Sequence, residues 1–560
     1  MTPTHSGKTW ASAAPLIQLS ELHTVLQEKY HLTNPAAVRS YCSPSLGDLH
    51  SPWTMADMDS AVQRITTAIE RQERIMVYGD FDTDGIMSTV QLYDGLRTLG
   101  AAVSYRIPHR VAHSHGLHYD LLDEIISKEV KLLITCDCGS NDAAEVAYIA
   151  ERGIDVIITD HHHPDPARRP VAATAMVNPH QPHCAYPYKH LSGSAVAFKL
   201  LSALGERLLS DQDELAEYLT RYLEPCAIGI IADCMPLTGE NRTLSIGGLS
   251  LMQQSQWEVI EEILLLTNTH PETIDEDTVR FQIAPRLNAA SRLGDVYTAV
   301  KAFTDTGETM RRALSQLDTW NEQRKRLTDI ALTQSFSQVV PGAPWQLLVH
   351  EEWIPGILGL IASKQSERLQ VPVIACRLNE DGTVQASCRA PEGYSIIAAL
   401  QTCPGFFTRV GGHAGAAGFQ TTRGQLDAIE QALQGYFAAY TPPPLTQAVD
   451  GILPATLLTV SLLPLLREYQ PFGLGAAAPQ WLLPGCQVLA TQLMGSDKTH
   501  LKVTVLYDGV ERELLHFFGR DDEGQFPPGS EKDMLVTVGR SSFRGEERLA
   551  LYLVDWREGT

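Results

Sequence analysis

The sequence predicts an α/β protein of several domains: a parallel-sheet domain, a long connecting helix, a smaller α/β domain and a C-terminal β-barrel. Three observations predict it. Short apolar runs alternate with amphipathic helical stretches between about residues 60 and 160, the pattern of βαβ units. Residues 308–335 carry charged and apolar positions at helical spacing, with no internal proline or glycine. Residues 486–556 are short alternating segments split by Asp-Gly, Gly-Ser and Pro-Pro turns, which suits a small barrel.

Taken in order, residues 1–50 are weakly patterned and predict a cap segment of short helices covering one side of the main domain. Residues 51–250 form that domain. A helical stretch from Asp59 to Glu73 leads into Ile75-Met76-Val77-Tyr78, and a second, Ile86 to Leu99, leads into Val103-Ser104-Tyr105-Arg106-Ile107. Leu132-Leu133-Ile134, a helix from Asn141 to Arg152 and Val156-Ile157-Ile158 continue the alternation. A further apolar run, Ala227 to Ala232, predicts one more strand. Residues 251–335 predict a helical connector and 336–440 the second α/β domain. Thr441-Pro442-Pro443-Pro444 makes a stiff spacer, beyond which residues 445–560 hold the barrel.

A net charge of −22 excludes indiscriminate polyanion binding, which needs clustered Lys and Arg, but leaves room for a narrow basic groove on an acidic body. No apolar run approaches the roughly 18 residues of a membrane span, and the N-terminus lacks a secretory pattern. The ten cysteines are scattered without a CxxC pair, which fits free thiols in a reducing cytoplasm.

The chemistry gathers where the predicted strands stop. Tyr78 is followed by Gly79-Asp80-Phe81-Asp82-Thr83-Asp84-Gly85, Cys136 by Asp137, Thr159 by Asp160-His161-His162-His163, and Ala232 by Asp233. Ligands of open parallel sheets bind beyond the carboxyl ends of the strands, so four such ends would direct carboxylates and imidazoles into one crevice. Any one of them alone is more simply a turn former or helix cap. An EF-hand would need glutamate at loop position 12, where Gln91 stands. Mostly carboxylate ligands with imidazole suit Mn²⁺ or Mg²⁺ better than zinc, and this number of acids is enough for two ions. Two ions about 3.5–4 Å apart activate water and stabilise the oxygens of a phosphoryl displacement, so phosphoester hydrolysis is the expected reaction class.

Gly79 to Gly85, Asp137-Cys138-Gly139, Asp160-His161-His162 and Ala232 to Pro236 together resemble the four motifs of the DHH phosphoesterase superfamily, with Asp80 pointing to its RecJ branch. Ser192-Gly193, Ala195 to Lys199, Ala284 to Ala290, Gly356 to Gly359, Gly411 to Ala414 with Ala417-Gly418, and Pro471-Phe472-Gly473 also resemble blocks of that branch. The resemblance implies a DHH domain, a DHH-associated domain and an OB-like nucleic-acid-binding barrel. It implies Asp80, Asp82, Asp84, Asp137, His161 and Asp233 as ligands of two metal ions, Asp160 orienting the neighbouring histidine, and His162 contacting the scissile phosphate or assisting proton transfer, with Asp137, Asp160 and His162 counted as catalytic. His163 goes beyond the pattern and is a bystander.

For substrate it implies Arg110 on the terminal 5′ phosphate, with Ser387, Arg389, Gly411, Gly412 and His413 on the sugar–phosphate chain and Arg280 and Arg286 as further backbone contacts. In the barrel, Lys498 and Lys502 are expected phosphate contacts, and Phe517 and Phe518 are either stacking contacts or barrel core. Two stretches depart from the family: Val111 to His115, which puts the details of end recognition in doubt, and Gly473 to Ala477, which lacks the asparagine expected after its second glycine. The implied activity is 5′→3′ removal of mononucleotides from single-stranded DNA in repair and recombination, by a monomer working with single-strand-binding protein and a helicase, away from membranes. Enzymes of the superfamily acting on oligoribonucleotides or cyclic dinucleotides generally lack the barrel. A catalytically dead binding scaffold loses metal acids that this chain keeps, and manganese pyrophosphatase needs no domain after Pro444.

Overall fold

Five strands lie side by side in the first half of the chain, and every neighbouring pair is parallel. They are β1 (Arg74–Tyr78), β2 (Ala102–Arg106), β3 (Leu132–Cys136), β4 (Asp155–Thr159) and β5 (Ala175–Val177), in the order β2-β1-β3-β4-β5. Ile75, Val77, Leu132, Ile134 and Ile157 face one core, while Met76, Tyr78, Leu133, Val156 and Ile158 face a second. The period of two along each strand therefore buries both faces, the condition for an all-parallel sheet. Helices α1 (Met58–Glu70), α2 (Thr83–Thr98), α5 (Gly193–Leu208) and α6 (Gln212–Ala232) contribute to the first core. Helices α3 (Tyr119–Ser127) and α4 (Ala143–Ala150) cover the other face.

The computed structural model describes residues 4–11, 18–113, 115–495, 498–543 and 546–559. It divides into a first unit, Arg39–Arg326 with Gln470–Ala477, and a second, Met1–Val38, Leu327–Tyr469 and Ala478–Thr560.

Three expectations need correction. The run Ala227 to Ala232 is the last part of helix α6, not a strand. It is nearly all buried, and a buried helix shows the same unbroken apolar run as a buried strand. Residues 251–326 are not merely a connector: Val259, Ile260, Ile263, Leu287 and Val300 join the first core. Only α7 (Gly307–Phe336), expected over 308–335, carries the chain onward into the second unit. The N-terminal segment does not cap the first unit as a whole, because residues up to Val38 belong to the second. There Thr9–Trp10 pairs in parallel with Thr446–Gln447, and Lys29 Nζ lies 2.9 Å from Asp450. A two-residue pairing across so long a stretch of chain leaves no local pattern to read.

In the second unit, β6 (Gln346–His350), β7 (Val373–Leu378), β8 (Thr383–Arg389), β9 (Arg409–Gly412) and β10 (Ala416–Thr422) form a mixed sheet in the order β9-β10-β8-β7-β6. Only β6 and β7 are parallel. The barrel consists of β11 (Gln480–Met494), β12 (His500–Tyr507), β13 (Val510–His516), β14 (Glu531–Phe543) and β15 (Glu546–Glu558). It runs β11-β12-β13-β15-β14, and β14 pairs back onto β11, so the sheet closes and hides its edges. Strict alternation along β12 sends Leu501, Val503, Val505 and Tyr507 inward. Among the described residues no helix is long and apolar enough to cross a membrane.

Residues 470–477 return to the first unit, where Glu276 Oε1 accepts the Phe472 N–H at 2.9 Å. Burial pushes the Glu276 carboxyl up to about 7 from its ordinary 4.5. A carboxyl raised in the folded state holds its proton there longer than in the unfolded chain, so its contribution to stability is lost as pH rises from about 4.5 through 7. Glu276→Gln should remove that slope: denaturant titrations at pH 5 and pH 8 would show the wild type losing stability relative to the variant.

Candidate metal centre

In the order β2-β1-β3 the connections leave β1 and β3 in opposite directions along the sheet. The loops after these two strands thus border the topological switch point, where open α/β sheets bind ligands. Asp80, Asp82 and Asp84 follow β1, Asp137 follows β3, Asp160 to His163 follow β4, and Asp233 caps the C-terminus of α6. Three strand ends and one helix end therefore supply the groups expected from four strand ends.

These side chains converge. Among the described residues, ligand atoms of Asp80, Asp82 and Asp137, of Asp84, His161 and Asp233, and of Asp137, His161 and His162 each lie within 4.8 Å of one another. His161 Nε2 stands 3.1 Å from Asp137 Oδ1, 3.7 Å from Asp233 Oδ2 and 4.0 Å from Asp84 Oδ2. Asp137 Oδ1 and Asp80 Oδ1 are buried and accept no hydrogen bond among the described residues. Buried carboxylate oxygens without donors are costly unless a cation completes them. The donor set, mostly carboxylate oxygen with imidazole, therefore fits divalent Mn²⁺ or Mg²⁺.

The acids are held rather than merely gathered. The first N–H groups of α5, at Gly193 and Ser194, donate to Asp84 at 2.6 and 3.0 Å, and the Ser194 hydroxyl adds a third bond. A helix N-terminus suits this task because its N–H groups lack partners and its dipole favours negative charge. Two glycines permit the approach. A Cβ on Gly193 would lie 2.5 Å from Asp137 Oδ1, and one on Gly229 would lie 2.4 Å from Asp84 Oδ1. Asp82 is the N-cap of α2 and accepts Gly85 N–H at 3.1 Å. Asp160 Oδ1 accepts from His161 N at 2.8 Å, His162 N at 3.2 Å and His162 Nδ1 at 2.8 Å, and Asp160 Oδ2 accepts from Ser140 N at 3.0 Å. Asn178 Nδ2 ties Ser140 Oγ to the His162 carbonyl, 2.8 Å from each.

Electrostatics separate the roles. Burial first, and then the charges of Asp84, Asp82 and Asp233, hold the Asp137 carboxyl far above the carboxylate range. Burial and neighbouring acids push Asp233 up to about 8, and burial raises Asp84. Repelling carboxyls that cling to protons become ligands once a cation replaces those protons. Asp160 moves the other way: burial would raise it, but His162 and its four donors hold it below the usual range. Its charge lifts His162 to about 10, whereas burial lowers His161 and keeps that imidazole neutral, as a ligand must be.

Arg110 stands at the same crevice. Its guanidinium lies 4.8 Å from the Phe81 ring centre and donates to Ser291 Oγ at 3.3 Å, and it feels the charges of Asp82 and Asp80. His115 packs on the same ring at 4.4 Å and places Nδ1 3.1 Å from Asp80 Oδ2. His163 packs against His180 with tilted rings, their centres 3.9 Å apart.

Other expected residues are engaged elsewhere. Arg286 is bound by Asp318 and the Gln282 carbonyl, and Arg280 by Asp277 and the Phe472 carbonyl. Ser387, Arg389, Gly411, Gly412 and His413 lie in the second unit. There Gly411 pairs with Gly418, itself opposite Ser387, and Gly412 with Ala417. Arg389 Nη1 donates to Ser387 Oγ at 3.2 Å, and His413 N to Ala416 O at 2.8 Å.

The Gly193–Ser194 clamp, Gly229, Ser140, Asn178 and His115 had no role assigned from the sequence. For the clamp a signal existed: Ser192-Gly193-Ser194 ahead of an apolar helix is an N-cap pattern, and Ser192 does cap α5.

Similarity to known proteins follows this geometry. The chain matches the DHH family, N-terminal domain, over residues 74–230, the DHHA1 domain over 339–439 and the RecJ OB domain over 449–555. The Single-stranded-DNA-specific exonuclease RecJ of Salmonella typhimurium is 31% identical over 540 residues, 90% of this chain and 91% of that protein. The chain belongs to the RecJ family. The crystal structure of RecJ from Thermus thermophilus in complex with Mn²⁺ superposes with a TM-score of 0.79 at 27% identity, covering 99% of this chain and 80% of that one. The Mg²⁺ complex from the same organism gives a TM-score of 0.73 at 26% identity, covering 99% and 79%. Mn²⁺ and Mg²⁺, the cations of those RecJ-family structures, are the ones that the present donor set fits.

Asp137→Asn should abolish Mn²⁺ uptake in calorimetry. In EDTA it should raise the melting temperature by roughly 2–4 °C, because it removes a buried repelling carboxyl.

Proposed function

We propose that this chain is a single-stranded-DNA-specific exonuclease that releases 5′-mononucleotides in the 5′→3′ direction by two-metal phosphodiester hydrolysis. The observation that carries the reading is the convergence of Asp82, Asp84, Asp137, His161 and Asp233 around buried carboxylate oxygens that lack donors, in a RecJ-family chain that also has the closed barrel.

Asp80, Asp82, Asp84, Asp137, His161 and Asp233 would hold the two Mn²⁺ or Mg²⁺ ions. When bound, these supply Lewis-acid polarisation of the scissile phosphate and of an attacking water. Asp160 fixes the His162 ring through Nδ1, so His162 turns its other nitrogen to its work in a single orientation. As a cation, His162 contacts the scissile phosphate and gives its proton to the departing 3′ oxygen as the P–O3′ bond breaks. Arg110, braced on Phe81 and Ser291, grips the terminal 5′ phosphate, a task its planar fork performs bidentately. Ser387, Arg389, Gly411, Gly412 and His413 bind the sugar–phosphate chain; Gly412, at φ +139, leaves backbone within reach of a phosphate.

The barrel retains the strand. Phe517 and Phe518 are 53% and 55% exposed, which makes them surface rather than core. Phe517 stacks on Tyr552 at 5.6 Å, and His500 packs edge-on against both phenylalanines. An exposed aromatic group of this kind offers faces on which bases stack irrespective of sequence. Lys502 is paired with Glu513 at 2.8 Å, whereas Lys498 is exposed and offers a cation to the phosphates.

The same reading places the enzyme in the cytoplasm, where its cysteines, none of them in a disulfide among the described residues, stay reduced. It acts there as a monomer in DNA repair and recombination, with single-strand-binding protein and a helicase as partners.

Labelled strands blocked at either end, sampled over time with Mn²⁺, test the polarity. A 3′ block should leave mononucleotide release unchanged and a 5′ block should stop it; faster consumption of cyclic dinucleotides would refute the assignment. Phe517→Ala should weaken binding of a long single strand by about tenfold, read by fluorescence anisotropy, while kcat on short oligonucleotides holds.

A further inference from the structure

The chain stretch 470–477 belongs to the first unit, although Tyr469 before it and Ala478 after it belong to the second. No step proposed above uses it. Its backbone is nonetheless bonded at almost every residue. Arg242 donates to the Gln470 and Pro471 carbonyls at 2.8 and 3.0 Å, and Arg280 donates to the Phe472 carbonyl at 2.5 Å. Gly473 and Ala476 exchange a pair of N–H···O bonds, each 3.0 Å, which closes a tight turn. At the tip of that turn the Leu474 carbonyl accepts the Leu237 N–H at 2.8 Å.

Leu237 lies four residues beyond Asp233. Of the proposed metal ligands, Asp84 is clamped by three donors and Asp82 by one, but no hydrogen bond among the described residues holds the Asp233 carboxylate. Its place is therefore set by its backbone. That backbone makes a sharp turn: Asp233 N–H bonds Gly229 O at 2.9 Å, Cys234 sits at φ +53, and Met235 N–H bonds Ile230 O at 3.2 Å. A non-glycine residue at positive φ persists where its surroundings hold it. On the exit side the Pro236 carbonyl accepts from Asn241 Nδ2 at 3.1 Å and Tyr188 Oη at 3.3 Å, and the next residue, Leu237, is clasped by the 470–477 strap. The fit is close: a Cβ on Gly473 would lie 2.5 Å from Arg280 Nη2 and 2.8 Å from Leu237 Cδ1, and Gly475, at φ +74, would place one 2.9 Å from Thr238 Cγ2.

We infer that residues 470–477 form a positioning strap for Asp233: by clasping Leu237, with Arg280 as its fastener, the strap fixes the turn that presents this carboxylate to the metal centre. The inference rests on the metal reading given above. It also gives Arg280 a role in metal affinity rather than in gripping DNA.

The test is Mn²⁺ calorimetry on the full-length chain, with Gly473→Ala, Arg280→Met and Arg280→Lys beside the wild type. Val300→Ala, a core change in the same unit, serves as the control for general destabilisation. Gly473→Ala and Arg280→Met should each weaken the uptake of one ion by about tenfold, with Arg280→Lys recovering most of the loss. Excess Mn²⁺ should restore kcat on single-stranded DNA in both weakened variants. Affinities within twofold of wild type would overturn the strap's role. So would an equal loss in Val300→Ala, or an Arg280→Met variant whose only defect is a raised KM for DNA. Wild-type protein that takes up no Mn²⁺ would overturn the metal assignment itself, and the strap's role with it.

Discussion

Mutual repulsion among buried carboxylates is the constraint around which the first unit is arranged. Asp80, Asp84 and Asp137 are each almost wholly withdrawn from water, and Asp82 and Asp233 stand close by. Such a group is unfavourable in a low-dielectric interior unless fixed dipoles and cations answer it. The fold provides the dipoles. The N-terminus of α5 meets Asp84, the N-cap geometry of α2 engages Asp82, and backbone donors surround Asp160. What the protein does not answer, above all the donorless oxygens of Asp80 and Asp137, is the part a divalent cation completes.

Two carboxylate–imidazole contacts are made by adjacent histidines, His161 with Asp137 and His162 with Asp160. Asp160, saturated with donors, stays ionised and makes His162 a cation. Asp137, crowded by like charges, stays near a neutral His161. Adjacent histidines thus acquire opposite characters, His161 lowered by burial and His162 raised by the charge of Asp160, so the site offers one neutral and one cationic imidazole side by side.

Much of this is legible in the sequence because the signals are local. An apolar run of five residues followed by Gly or Asp marks a buried strand and its exit, and three of the four acidic motifs lie on such exits. The fourth, Asp233, lies beside Asp84 and His161 but follows a helix rather than the expected strand, since the buried last part of that helix gives up the amphipathic period that distinguishes it from a strand. The long helix stands out because thirty residues of helical spacing allow no other reading. What stays illegible is non-local: the Thr9–Thr446 pairing, the joining of residues 251–326 to the first core, and the placement of residues 470–477. Phe517 and Phe518 could be core or surface on sequence grounds, because aromatic residues suit both, and their exposure decides between the two.

Neither unit is built from a single stretch of chain, and this governs the order in which the molecule can assemble during synthesis. Trp10 finds its partners Val449 and Leu535 only after most of the polypeptide has left the ribosome. The first unit lacks the Ala476 methyl from its core until the same late stage. Early segments must therefore wait in an incomplete state, with apolar surface still open to solvent and to holding chaperones. A nascent chain arrested before residue 470 would leave both halves unfinished, and a polypeptide severed at the proline-rich spacer would strand part of each half on the other fragment.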